Sequence, residues 1–216
     1  GSRSYNLNGP TSDWDWYGVF VTPLDRLLSL EHRDEDDKVH GDVPNYQFHE
    51  LLPFCRMIAR GNPNALESLY AERAIHVTPE WHRLRLIRHR FVTQQVVNNY
   101  IEYAEGQIRR YRKGQSVHTS GGKPGEKWLY HILRLAQDAM RLAKGMEPRL
   151  WKESGERDLI MRVRRQEIPD DKVIQLAQGM FNAVRDMAPY PLPAEPDLPA
   201  LNRWMMEVRG ILPPTT

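Results

Sequence analysis

The stretch from Asp13 to Val21, DWDWYGVFV, constrains the fold more than any other part of the chain. Alternate side chains of a strand point to opposite faces, so Asp13, Asp15, Tyr17, Val19 and Val21 share one face and Trp14, Trp16, Gly18 and Phe20 the other. Beyond Trp16 both faces are apolar, which predicts a central strand covered on both sides, with its polar beginning left at a rim. Thr22-Pro23 ends it. The two aspartates at that rim pose a chemical question, because residues i and i+2 project the same way and like charges there repel. A divalent cation between them would resolve the repulsion. An Asp-x-Asp pair also marks turns and surface strand ends, and on these residues alone both readings stand.

The chain changes character along its length. EHRDEDDKVHGDV, residues 31–43, is too charged for a core and reads as an exposed tip or loop, from which Asp42-Val43 enters a short extended piece. From Tyr46 to Arg60 the residues Phe48, Leu51, Leu52, Cys55, Ile58 and Ala59 recur at spacings of three and four, predicting an amphipathic helix closed by Gly61. Pro63 to Tyr70 reopens a helix. Thr78-Pro79 starts a long helical stretch from about residue 80 to 113, with Gly106 as its weak point. The segment KGQSVHTSGGKPGEK predicts a flexible loop near 113–126. Helices follow over about 125–144, 170–187 and 198–209, the last after the Pro-rich PYPLPAEPDLP. The expected organisation is α+β, with a small α/β part over residues 1–77 and a helical part over 78–216.

Composition adds exclusions. Lys and Arg outnumber Asp and Glu by 30 to 28, so global charge selects no partner. Cys55 is the single cysteine, which excludes an internal disulfide and any zinc site built from several thiolates. No apolar run reaches the roughly 18 to 20 residues of a membrane span. A soluble, cytoplasmic protein is expected.

Several polar groups fit nucleotide chemistry. Mg2+ takes carboxylate oxygens, waters and substrate phosphates, and Asp42 would complete a three-carboxylate cluster with Asp13 and Asp15 if its extended segment neighbours the first strand. Gly1-Ser2 before a helical turn would offer N–H groups and a hydroxyl to a phosphate. Asn62 and Asn64 flank Pro63, where helix capping is the favoured role. Lys127, His131 and Arg134 stand at i, i+4 and i+7 of a helix, a basic face that suits a triphosphate or an RNA backbone, or equally a solvated surface. Two basic runs, Arg83 to Arg90 and Arg109 to Lys113, could track phosphates.

GSRSYNLNGPTSDWDWYGVFV resembles the active-site signature of the DNA polymerase β-like nucleotidyltransferases, a Gly-Ser followed about ten residues later by Asp-x-Asp. More specifically it is similar to the predicted nucleotidyltransferases of bacteria and phages, some linked to RNA repair. The likeness continues through GNPNALESLY, KWLYHILRL, VRRQEI and LPAEPDL, and so covers nearly the whole chain. Asn6 stands where that family usually has Gly. The resemblance implies a small mixed-sheet nucleotidyltransferase core followed by a C-terminal helical domain. Because the family places a helix and a strand before Gly-Ser, it also implies that the first sheet strand is lacking here unless the chain was trimmed. It assigns Gly1, Ser2, Arg3, Lys127, His131 and Arg134 to the nucleotide, and Asp13, Asp15 and Asp42 to metal and catalysis, with Asp42 helping to activate the acceptor hydroxyl. Two Mg2+ ions, or Mn2+ in their place, an NTP such as ATP as donor, and an RNA end, a protein or a small molecule as acceptor complete the expectation. The alternative is a non-catalytic NTP-sensing or RNA-binding module on the same scaffold.

Overall fold

The computed structural model describes residues 1–10, 12–42, 45–114 and 126–214, with the side chains of Glu126 and Lys127 outside that set. Val43 and residues 115–125, the centre of the expected loop, lie outside the described residues. The chain divides into two compact units, residues 1–91 with 195–216, and residues 92–194.

The first unit holds a three-stranded mixed sheet among the described residues, in the order β1 (Asp15–Phe20), β3 (Asn45–Glu50), β2 (Lys38–Asp42). β1 runs parallel to β3 with Asp15 opposite Asn45, and β2 runs antiparallel to β3 with Asp42 opposite the same Asn45. The central position thus belongs to β3. β1 lies at an edge of this sheet with every residue half-buried, a correction to the central strand that its two apolar faces suggest. Part of its apolar surface is covered by rings of neighbouring residues. Trp14 and Trp16 stack with centroids 5.7 Å apart, and the Phe48 ring lies so close over Gly18 that a Cβ there would come within 2.5 Å of it.

Two further expectations change here. Lys38 to Gly41, read as part of a charged tip or loop, forms β2 together with Asp42, and Tyr46 to Glu50, read as the start of a helix, belongs to β3. The polar and apolar alternation of Asn45, Tyr46, Gln47, Phe48, His49 lets the segment pair on both sides, and pairing overrides the helical spacing of Phe48 with Leu51 and Leu52. The helix starts at Leu51 as α2 (Leu51–Ala59), capped by Glu50, whose carboxylate accepts from Leu52 N at 2.7 Å. A short α1 (Leu24–Leu27) precedes it in the chain, and α3 (Pro63–Tyr70) follows. Asn62 caps α3, accepting from Ala65 N at 3.2 Å, in keeping with the expected role.

The expected stretch over 80–113 divides into α4 (Pro79–Leu86), a 3-10 turn at Arg88–Phe91 and α5 (Gln94–Arg112). It breaks at Val92-Thr93, and α5 runs on through Gly106. α4 and the final helix, α9 (Leu198–Val208), belong with the sheet. Trp204 Nε1 donates to Glu80 O at 2.8 Å, and Arg209 forms a 2.7 Å ion pair with the fully buried Glu50. Leu7, Leu51, Phe54, Ile58, Leu66 and Leu84 fill the core of this unit.

In the second unit α6 (Glu126–Ala143) packs against α5, α7 (Ser154–Arg164) and α8 (Asp170–Arg185). Residues 132–139 of α6 are all buried, as expected of a helix surrounded by others. Within that run Asp138 holds Arg134 at 3.1 Å and also bonds the fully buried Lys152. No helix among the described residues is long and apolar enough to cross a membrane.

Candidate active site at one end of the small sheet

Because residues directly opposite each other in a ladder project to the same face, the register defines rows. The first row is Asp15, Asn45 and Asp42; the next is Tyr17, Gln47 and His40; the third is Val19, His49 and Lys38. Two of the three sequence-assigned carboxylates therefore stand at the same end and on the same face of the sheet. They are separated by two inter-strand spacings, roughly 9.6 Å. Between them, Asn45 Nδ2 donates to Asp15 Oδ1. Asp13 precedes the first paired residue and is exposed, as is Asp42, while Asp15 is half-buried. No group of three or more His, Cys, Asp or Glu among the described residues is gathered tightly enough to share one metal ion.

The Gly-Ser segment lies against this row. Gly1 N is 3.8 Å from Asp15 Oδ2, and a Cβ on Gly1 would fall 1.5 Å from that oxygen, so no side chain could occupy the position without displacing the carboxylate. Ser2–Tyr5 forms a 3-10 turn in which Ser4 N donates to Gly1 O at 3.0 Å and Leu7 N to Ser2 O at 2.9 Å. The turn ends at Asn6, whose φ of 57° is left-handed. Asn tolerates that region better than most residues, which accounts for Asn standing where the family usually has Gly. Ser2 and Leu7 are buried, and Tyr5 donates its hydroxyl proton to Glu67 of α3, so the turn is tied down on both sides.

Arg3 braces the approach to the aspartates. Its guanidinium donates to Ser12 O at 2.7 Å and Asp13 O at 3.3 Å, and lies 4.2 Å from the centroid of the Trp14 ring. Deeper on the same face as Asp15, the amide nitrogen of Gln47 faces His49 Nε2 at 2.7 Å, an arrangement in which the imidazole accepts and is neutral. Burial, together with the nearby Lys38 charge, lowers the His49 pKa from its usual value. The Tyr17 ring lies 5.4 Å from that of His49, and burial raises its phenol.

Gly1, Ser2, Arg3, Asp13, Asp15 and Asp42 all lie in the first unit. The other three sequence-assigned residues are on α6 of the second unit. Lys127 falls in its first turn, His131 is half-buried with its ring centroid 4.3 Å from that of Tyr130, and Arg134 is buried against Asp138. Asn45 was not singled out by sequence. Its signal was the alternation of residues 45–49, which marks a strand and would have set Asn45 beside Asp42.

A Gly-Ser turn against a strand-borne carboxylate, with a second carboxylate in the same row of a small mixed sheet, is consistent with the polymerase β-like class. The family model described as RlaP, RNA repair pathway DNA polymerase beta family, matches residues 1–207, and the chain belongs to that family. No curated protein and no solved structure matches the chain.

Proposed function

We propose that the protein is a Mg2+-dependent nucleotidyltransferase that moves a nucleoside monophosphate from an NTP to a terminal hydroxyl of RNA, with release of pyrophosphate. The observation that carries this reading is the shared row of Asp15 and Asp42, with the Gly1-Ser2 main chain lying against Asp15. Membership of an RNA repair family supports RNA as acceptor over a protein or a small molecule. In this reading the sheet end is a nucleotidyltransferase core.

The donor set suits the ion. It consists of carboxylate oxygens, the hard ligands Mg2+ prefers, with Asp13 and Asp42 exposed and open to water and phosphate. Asp13 and Asp15 would hold the metal, and Asp42 would join them or accept the proton of the attacking hydroxyl. When bound, the ion supplies neutralisation of charge on the phosphoryl oxygens. Of the protein's own groups, Gly1 and Ser2 would present N–H groups and a hydroxyl to the phosphates, and Arg3 would fix the loop that carries Asp13. On α6, Lys127 and His131 are assigned to the nucleotide. Arg134, engaged by Asp138, would act by holding that helix.

The test is incubation with each α-labelled NTP, Mg2+ and an RNA ending in a free or blocked hydroxyl, comparing wild type with Asp15→Asn. The reading expects label on the free-ended RNA with wild type and only background with the variant. Equal transfer by both would remove Asp15 from the site. Nucleotide binding without transfer to any acceptor would favour the sensing module.

A further inference from the structure

The two basic runs of the sequence meet different fates. In the first unit Arg83 pairs with Glu80 and Glu207, Arg85 donates to Leu69 O, Arg88 lies over the Tyr70 ring, and Arg90 pairs with Asp197. These arginines are occupied by packing. At the end of α5 in the second unit, Arg109, Arg110, Arg112 and Lys113 are all exposed, and no side-chain hydrogen bond or ion pair engages any of them among the described residues. Cations are favoured in the last turn of a helix by its dipole, which accounts for some positive charge there. It does not account for what lies one and two turns earlier.

Tyr103 is 45% exposed on the same helix, with no hydrogen bond or ring contact among the described residues. Seven residues separate it from Arg110, so the two share a face about 10.5 Å apart along the axis. Between them Gly106 leaves a bare patch, above which a Cβ would meet only the Arg109 guanidinium, at 3.7 Å. Glu105 is neutralised by Arg185 at 2.7 Å, leaving Glu102 as the acid on this face and the balance positive. An exposed ring, a gap one turn long and a cluster of uncommitted cations match a strand of stacked bases on a phosphate backbone.

We infer that the face of α5 from Tyr103 to Lys113 binds single-stranded RNA, with Tyr103 stacking on a base above Gly106 and Arg109, Arg110 and Lys113 meeting the phosphates. The inference rests on the RNA-acceptor reading for its choice of polyanion, but it concerns a surface remote in sequence from the aspartates.

The experiment is fluorescence anisotropy of a labelled twelve-nucleotide RNA titrated with the full chain, without nucleotide or metal, over a range of salt. Removing three phosphate contacts in the triple variant Arg109→Ala, Arg110→Ala, Lys113→Ala should lower the slope of log affinity against log salt by about two. Tyr103→Ala should weaken binding at least about fivefold, and Tyr103→Phe should restore it. The affected side chains are exposed, so unchanged melting temperatures verify folding. Wild-type slope and affinity in the triple variant would overturn the inference. So would equal or tighter binding of a duplex of the same length, or of anionic lipid vesicles, with no effect of Tyr103→Ala. Binding is measured here without nucleotide or metal and transfer is measured separately, so failure of this surface and failure of the transfer reaction are distinguished.

Discussion

Replacing Arg209 by Met leaves the carboxylate of Glu50 buried without its cation. Glu50 is fully buried, and one of its oxygens accepts from both Arg209 and Thr22 N, at 2.7 and 3.3 Å. The other caps α2 through Leu52 N, and Arg209 also donates to Thr22 O at 3.2 Å. One ion pair therefore fastens the end of α9 to the end of β1 and to the junction of β3 with α2. Breaking a buried pair from one side costs about 3–5 kcal/mol. This corresponds to a gain of about two to four powers of ten in the opening equilibrium of the first unit. The single thiol gives the assay. Cys55 is 5% exposed on α2, and burial, followed by the charge of Glu50, pushes its pKa up to about 12. A disulfide reagent should therefore label it through the opened state, at a rate that follows the opening equilibrium when reclosing is fast. Arg209 itself lowers the thiol pKa, so its removal would slow labelling of a closed molecule; acceleration then reports opening alone. Restoring Glu50→Gln alongside Arg209→Met should recover most of the loss, because the orphaned charge is gone. A labelling rate for Arg209→Met within about fivefold of wild type, roughly 1 kcal/mol, would show that the pair does not hold the first unit closed.

Two further outcomes concern the face of the sheet that carries Asp15. The folded-state pKa of His49 lies below its ordinary 6.5 through burial and then Lys38, so the native state disfavours the proton. Stability from this group is complete above about pH 6.5 and falls as pH drops through that value toward the lower folded one. Urea midpoints measured from pH 7.5 to about 5 should decline less steeply in His49→Gln, and an identical decline would exclude His49 as the source. Asn45→Ala removes the donor that orients Asp15, and should reduce transfer by about 10- to 100-fold while raising the Mg2+ requirement. Unchanged rate and Mg2+ dependence would make Asn45 a strand residue and nothing more.

The strand that carries Asp15 was legible because its alternation is long and bounded by Thr22-Pro23. Its place at the edge was not, because two apolar faces require cover and do not say how many strands supply it. Phe48, Leu51 and Leu52 share a helical spacing by coincidence across a strand-to-helix junction, and only the partners on either side of β3 decide the matter. The row of Asp15, Asn45 and Asp42 depends on that same pairing, so Asn45 enters it only once residues 45–49 are read as a strand and not as the start of a helix. α6 was legible from the apolar stripe of Leu129, Ile132, Leu133, Leu135 and Ala136. The burial of Arg134 depends on Asp138 and on Lys152 beyond the helix end, a tertiary arrangement with no local signature. α7 went unread because its burial rests on Ile160 and Val163 amid charged residues, too sparse a stripe to register.

The proposed role of the carboxylates at the end of this sheet is to direct transfer of a nucleotidyl group through a bound metal. The most direct measurement follows pyrophosphate release and label incorporation together, at varied Mg2+, for wild type and for Asp13→Asn, Asp15→Asn and Asp42→Asn. Equimolar product and pyrophosphate in the wild type, abolished by chelation and reduced to background in Asp13→Asn and Asp15→Asn, is the predicted result. Incorporation that persists in those two variants, or that proceeds undiminished in chelator, would contradict it.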